Sequence, residues 1–416
     1  MTLFISARRL MAATAVFILP VSAHALDGKD LLAKINAAYG ADNVALSVAS
    51  IDVKGDDMTF HAARITPLKP APEPAQPAPG QPAPPPPAPQ ATSLSLGDIE
   101  LKGVTANDDG SYDIDRVEFQ PLDMQTQKDS IKASDLYLEG VTIPGKTSGK
   151  DLSSLMICEK AHSGPVTVTE NGKVVFAIAS ADSNTSIEDD GASLDFDAAV
   201  KGLKLDMTTV PDPKQRDMLE KLNLVHLDGD MTMQGNWELQ SGTLDLDSLD
   251  FDFANVGKLS VAFSFSGYTL DLMRQLQETA RTMQVTAADK QANQAASLAM
   301  FGLLQQLSFE DADIRFEDHG LTNRALAYSA SERNIAPKDM AQIVKAMVPL
   351  MLAQAKLGDL QNSVSAAVNT FIDNPKSLEI AAEPENPVPL PLIIGAAMGA
   401  PSSLPKVLGV KVTANQ

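Results

Sequence analysis

Cysteine is almost missing from this chain: Cys158 is the single one in 416 residues. That excludes an internal disulfide framework, a zinc ribbon and a cysteine-ligated iron–sulfur cluster. Aromatic residues make up only 5% and tryptophan occurs once. Basic residues are scarce, with 33 Lys and Arg against 53 Asp and Glu and a formal net charge of −20. Nucleic-acid binding needs clustered cations on phosphates, so that partner class is excluded. Adsorption by charge to an anionic membrane surface is excluded for the same reason. What the chain has in quantity is apolar residues, at 44%, and enough length for two or three domains.

The first 25 residues read as a cleaved secretory signal. Arg8 and Arg9 precede an apolar run from Leu10 to Leu19, Pro20 breaks it, and Ala23-His24-Ala25 supplies a small-x-small cleavage site. The run is about ten residues, against ~20 for a membrane span. No cysteine follows the site, so no lipid anchor is expected. Val388–Pro401 is interrupted by prolines and glycines, and Met340–Leu357 contains Lys345, Pro349, Gln354 and Lys356. Neither reads as a span, so the expected location is the periplasm, with no transmembrane segment after cleavage.

Hydrophobic periodicity divides the mature chain in two. Asp27–Tyr39 has the 3.6-residue period of a short helix with Leu31, Leu32 and Ile35 on one face, ended by Gly40. From Val44 to Tyr268 the period is close to 2. Examples are Leu94-Ser95-Leu96, Leu136-Tyr137-Leu138, Val166-Thr167-Val168, Leu203-Lys204-Leu205 and Leu259-Ser260-Val261-Ala262-Phe263. Such alternation predicts antiparallel strands with one buried and one wet face. Gly55-Asp56, Asp109-Gly110, Asn171-Gly172, Asp190-Gly191 and Ser241-Gly242 supply hairpin turns. The apolar phase slips by one residue across Ser248, and again near Gly202, which predicts a β-bulge or bend at each. One helix is expected inside this region, with Asp212 as its cap and Pro213 in its first turn.

Residues 67–91 hold nearly half of the 27 prolines and are expected to be a disordered or polyproline II loop between two strands. After Tyr268 the period returns to 3.6. Helices are expected around Leu272–Met283, Ala292–Leu307, Leu321–Glu332, Pro337–Leu357 (kinked at Pro349) and Leu360–Ile372, the last two forming a hairpin about Gly358 and Asp359. Short strands are expected at Phe309–Phe316, Leu378–Ala381 and Val407–Val412. The predicted class is α+β. A long curved antiparallel sheet of meanders and hairpins fills residues 26–267, and a mainly helical region, 268–416, packs on it.

Chemistry-bearing motifs are sparse. His61, His162, His226 and His319 show no i, i+4 pair for zinc. No nucleophile elbow, phosphate loop or dinucleotide glycine pattern follows a strand. Asp-rich turns such as Asn107–Gly110 and Glu188–Gly191 lack the ligand spacing of an EF-hand. Asp245, Asp247, Asp250 and Asp252 alternate with apolar residues and read as the wet face of a strand. No catalytic residue, metal or cofactor is therefore assigned. Cys158 reads as a buried small hydrophobe, or as a thiol free to form an intermolecular disulfide. The strongest remaining feature is a Leu/Phe face made of Leu244, Leu246, Phe251, Phe253, Val261, Phe263 and Phe265. It is either closed core or a groove open to an apolar ligand.

The run Leu222–Thr269, with Leu227-Asp228-Gly229 and its Leu-x-Leu repeats, resembles AsmA-type and YdgA-type envelope proteins of Gram-negative bacteria. The likeness is one of β-repeat style over residues 44–267. It implies an elongated antiparallel sheet with an apolar groove and a role in outer-envelope lipid traffic or homeostasis. The combined expectation is a non-enzymatic exported protein of envelope maintenance that holds lipid or another apolar ligand. The alternatives are a structural module that binds another envelope protein, and an enzyme whose site carries no recognised motif.

Overall fold

The computed structural model describes residues 26–39, 44–67, 93–148, 151–188, 191–285, 290–357 and 360–416. The expected export signal and Gly40 cap, Asp190, the expected hairpin residues Gly358 and Asp359, and nearly all of the proline-rich segment lie outside them.

Helix α1 (Gly28–Tyr39) is the first described element and buries Leu31 and Ile35. A run of strands follows: β1 (Val44–Ser47), β2 (Ser50–Lys54), β3 (Asp57–Pro67), β4 (Leu94–Ala106), β5 (Tyr112–Phe119), β6 (Leu122–Gln125), β7 (Ser130–Ala133) and β8 (Leu136–Ile143). It continues through β9 (Ile157–Ser163), β10 (Val166–Glu170), β11 (Lys173–Ile178), β12 (Ser180–Ile187) and β13 (Ser193–Asp206). Helix α2 (Pro213–Lys221) precedes β14 (His226–Glu238), β15 (Thr243–Phe253) and β16 (Gly257–Ser266). The remainder is α3 (Leu270–Val285), α4 (Lys290–Leu304), β17 (Ser308–Asp318), α5 (Leu321–Ser331), α6 (Pro337–Gln354) and α7 (Gln361–Asp373). It closes with β18 (Ser377–Ala382), β19 (Val388–Pro389), α8 (Leu390–Gly399), α9 (Leu404–Val407) and β20 (Val410–Ala414).

All these strands belong to one sheet, and every pairing in it is antiparallel. The connectivity is a meander. β5–β6, β7–β8, β9–β10 and β11–β12 are four long strands, each interrupted once: at Gln120-Pro121, Ser134-Asp135, Gly164-Pro165 and Ala179. Proline has no N–H for the ladder, and Asp135 sits at φ 53°, so the pairing breaks at these points. The breaks are neighbours in space: Ser134 N–H donates to Pro165 O (3.3 Å) and Ala179 N–H to Lys201 O (2.8 Å). The line ends at Gly202 (φ +63°), where a Cβ would stand 2.9 Å from that of Ala179. There β13 carries an extra residue against β14, the expected bulge.

The second expected bulge is also present. β15 has one residue more than both partners between Leu246 and Leu249. This keeps Leu244 and Leu246 on the same face as Leu249, Phe251 and Phe253. Of the turns, Asn171-Gly172 has φ of 50° and 79°, both positive as a two-residue type I′ hairpin requires. Asp212 caps α2 through its carboxylate, which accepts from Lys214 N (2.8 Å) and Gln215 N.

The sheet does not stop at Tyr268. β17 pairs along the whole of β16, β18 along β17, and β20 along β18. The helices of residues 268–416 are connections between strands of the same sheet. α6 and α7 lie against each other with Lys345 ion-paired to Asp373. α7 rests on the last strands through Ala367 and Phe371. Among the described residues no helix is long and apolar enough to cross a membrane.

Candidate functional site: an apolar face with a cavity

Residues directly opposite each other in antiparallel strands point to the same side of a sheet, so the registers trace each face across the molecule. One row runs Phe60–Ile99–Phe119–Leu136, and the next Met58–Leu101–Val117–Leu138–Ala161. Further on, Ala198 and Val200 meet Met233 and Met231, which meet Leu249 and Phe251. Those face Val261 and Leu259, then Ile314 and Phe316, then Ile380 and Leu378, and finally Val412 and Ala414. The two sets join through β12, where Ser183 stands between Ala161 and Ala198 and Ala181 between Ser163 and Val200. One mainly apolar face, with serines at this junction, therefore extends from β3 to β20.

The reverse face is polar and largely paired. Arg116 Nε donates to Glu118 (2.7 Å), and its other nitrogen pairs with Glu139, which Lys160 also approaches (3.6 Å). The Arg116 guanidinium lies 3.7 Å from the Tyr137 ring centroid, and Tyr137 stacks on His162 at 4.8 Å. His162 Nδ1 is 2.6 Å from Asp182, and His61 sits between Asp98 (3.0 Å) and Asp52 (3.4 Å). The His61 ring is held protonated to higher pH, mainly by Asp98. His226 is solvated, as its strand phase implies. Asp245, Asp250 and Asp252 lie on this face opposite Asn236, Thr232 and Asp230. Among the described residues no three His, Cys, Asp or Glu side chains converge as a metal site would require.

The seven residues predicted as a ligand face do share one side. Leu244 is opposite Phe265 and Leu246 opposite Phe263. Phe251 and Phe253 follow beyond the bulge, and Val261 stands opposite Leu249. Phe265 packs edge-on against Phe263 and Phe309 at centroid distances of 5.5 and 5.7 Å. Leu246 is buried and the other six are half-buried. Beside them the face opens: Ile314 is 46% and Ile380 43% exposed on adjacent strands.

At the other end of the same face is a cavity of about 500 Å³, within the ~300–1,000 Å³ range of small-molecule sites. Helix α1 roofs it with Ile35, and its walls include Phe60, Ile99, Val117, Leu138 and Cys158. The polar groups at its wall are few, chiefly Gln120, Tyr39 and the Cys158 thiol. That thiol donates to the Lys160 carbonyl at 3.0 Å, and burial pushes its pKa up, so it is a weakly reactive apolar-wall group. Sequence reasoning misses this cavity, because the Leu/Phe density of β15 and β16 outweighs the Val/Ile alternation of β4, β5 and β8. The signal that points to it is α1, an amphipathic helix placed directly before the first strands.

A family model described only as "Uncharacterized protein" matches residues 250–415, from within β15 through β20. No curated protein matches the chain.

Proposed function

We propose that this protein is a non-catalytic, exported component of a bacterial envelope, located in the periplasm, that holds a lipid or comparable apolar ligand against its sheet. The observation that carries the reading is the mainly apolar face with a roughly 500 Å³ apolar cavity at one end and an open strip at Ile314 and Ile380 at the other. Ligand sites are mostly apolar with few polar groups, and the cavity wall has that composition. The signal-like first 25 residues and the AsmA/YdgA-like strand style support the compartment and the ligand class. Organic extraction of the purified protein followed by mass spectrometry tests it. A stoichiometric acyl-chain lipid, or saturable uptake of a fluorescent fatty acid, is the expected result. An empty extract together with no uptake would remove the ligand from the reading.

A further inference from the structure

Helix α8 is built from Leu390-Pro391-Leu392-Ile393-Ile394-Gly395-Ala396-Ala397-Met398-Gly399 and has no polar side chain, yet none of its residues is buried. A helix that is apolar all round belongs in a protein core or a bilayer. This one projects from the end of the sheet, where β19 pairs with the start of β17 and Leu390 N–H donates to Leu307 O at 2.9 Å. Helix α4 lies beside it and presents Leu298 and Phe301, one turn apart. The exposures are 74% for Leu298, 43% for Phe301, 57% for Leu392 and 84% for Met398. A contiguous apolar surface of this kind marks an interaction site.

Charge indicates what covers it. The chain carries 53 acidic residues, but none lies between Asn386 and Gln416, and none between Lys290 and Phe309. The charged residues in these two stretches are Lys290, Lys406 and Lys411. The rest of a molecule of net charge −20 would repel both an anionic headgroup layer and a second copy of itself. These two stretches add no carboxylate side chain of their own, and Lys411 is ion-paired with Glu383. Exposed Leu, Phe and Met side chains with no carboxylate among them are of the kind that enter the acyl boundary of a bilayer.

We infer that the α4–α8 tip docks on a lipid bilayer surface, with Leu298, Phe301, Leu392 and Met398 entering the interface. The inference stands apart from the ligand proposal above, since it concerns another surface. The test uses the chain from Leu26 onward, which holds every described element, with vesicles of phosphatidylethanolamine and phosphatidylglycerol. The protein floats with the vesicles, and adding salt changes this little because apolar insertion supplies the affinity. Joint Leu298→Ser, Leu392→Ser and Met398→Ser lowers the partition coefficient by at least about tenfold. It leaves the melting temperature and fatty-acid uptake unchanged. A single Met398→Trp protein, whose new indole is quenched by brominated lipid, reports insertion independently should the triple variant misfold. Lack of flotation, an unaltered triple variant or absence of quenching overturns the inference. So does a wild-type dimer that the triple change splits into monomers, for then a second copy covers the tip.

Discussion

Cys158 is the only thiol in the chain and lies in the cavity wall with Leu138, Met156 and Ala161, so its alkylation reports on cavity occupancy. Without ligand the reaction with N-ethylmaleimide should be slow. Burial raises the thiol pKa, which lowers the fraction of reactive thiolate at a given pH. A fatty acid seated in the cavity blocks the remainder. At a free concentration of roughly 100 Kd, about 1% of the protein is unoccupied and the rate should fall about 100-fold. Intact-mass spectrometry over time measures both rates. Ala161→Phe supplies the second arm. Ala161 faces Leu138 on one side and Ser183 on the other, and a ring there occupies cavity space at about 1–3 kcal/mol of overpacking. Fatty-acid affinity should drop by about tenfold or more. Saturable fatty-acid binding with an unchanged alkylation rate would refute the assignment and move the ligand to the open strip around Ile314 and Ile380.

Four further outcomes follow from the structure. Deleting Ser248 removes the extra residue of β15 and leaves Leu244, Leu246, Leu249, Phe251 and Phe253 in strict alternation on one face without a bulge. That variant should keep a cooperative thermal transition, whereas Ser248→Gly-Ser, which adds a second extra residue, should lose it. Ala62 sits at φ 50° in the irregular stretch of β3, a conformation costing about 1–2 kcal/mol for a residue with a Cβ. After the glycine entropy penalty, Ala62→Gly should stabilise by about 0.5–1 kcal/mol in urea unfolding. Asp313 lies between Ala262 and Ala381, and burial with nearby Glu379 raises its pKa above the ordinary 3.8. The cost of its charge therefore grows as pH rises past that value; Asp313→Asn should melt higher than wild type at pH 7 and equally at pH 3. Burial and the Asp30 carboxylate push the Tyr112 hydroxyl up to about 12. The stabilisation it carries is intact below pH 10 and lost as pH rises through about 12, a loss that Tyr112→Phe should abolish in alkaline unfolding curves.

Local features of the fold were legible because they rest on local physics. The phase slip at Ser248 is a register shift, the Asp212-Pro213 pair is a cap, and Asn171-Gly172 is a type I′ turn. Each involves residues close together in sequence. The two halves separated by period at Tyr268 do differ in helix content. Periodicity is silent on partners, however, so the joining of β17, β18 and β20 to the sheet of residues 44–267 was not visible. Between β17 and β18 the chain passes through three helices before returning to the register Ile314–Ile380. The cavity was hidden for the same reason. Ile99, Val117, Leu138 and Cys158 come from four strands, and the alternation of each reads equally as closed core. The seven residues of β15 and β16 share one face as expected, while the cover they receive from β17, through Phe309 on Phe265, is non-local.

A single antiparallel layer has one apolar face and no opposing sheet to cover it. Here α1 closes one end through Leu31 and Ile35, and α7 closes the other through Phe371, whose ring meets Phe316 at 6.5 Å. Between these covers, Leu259, Ile314 and Ile380 stay exposed on three adjacent strands. A polar side chain at any of the three would cost the fold little, because much of each residue already meets water. The acidic reverse face shows that these strands carry polar residues wherever the fold permits: Asp313 and Arg315 flank Ile314, and Glu379 precedes Ile380. Stability alone therefore does not account for isoleucine at these two positions, whereas an apolar ligand lying along the strip does. The same reasoning separates α8 from the core helices. Leu392 and Met398 stay mostly exposed and contribute little to packing, so their apolar character answers to something outside the chain, as the proposed docking on a bilayer surface would supply.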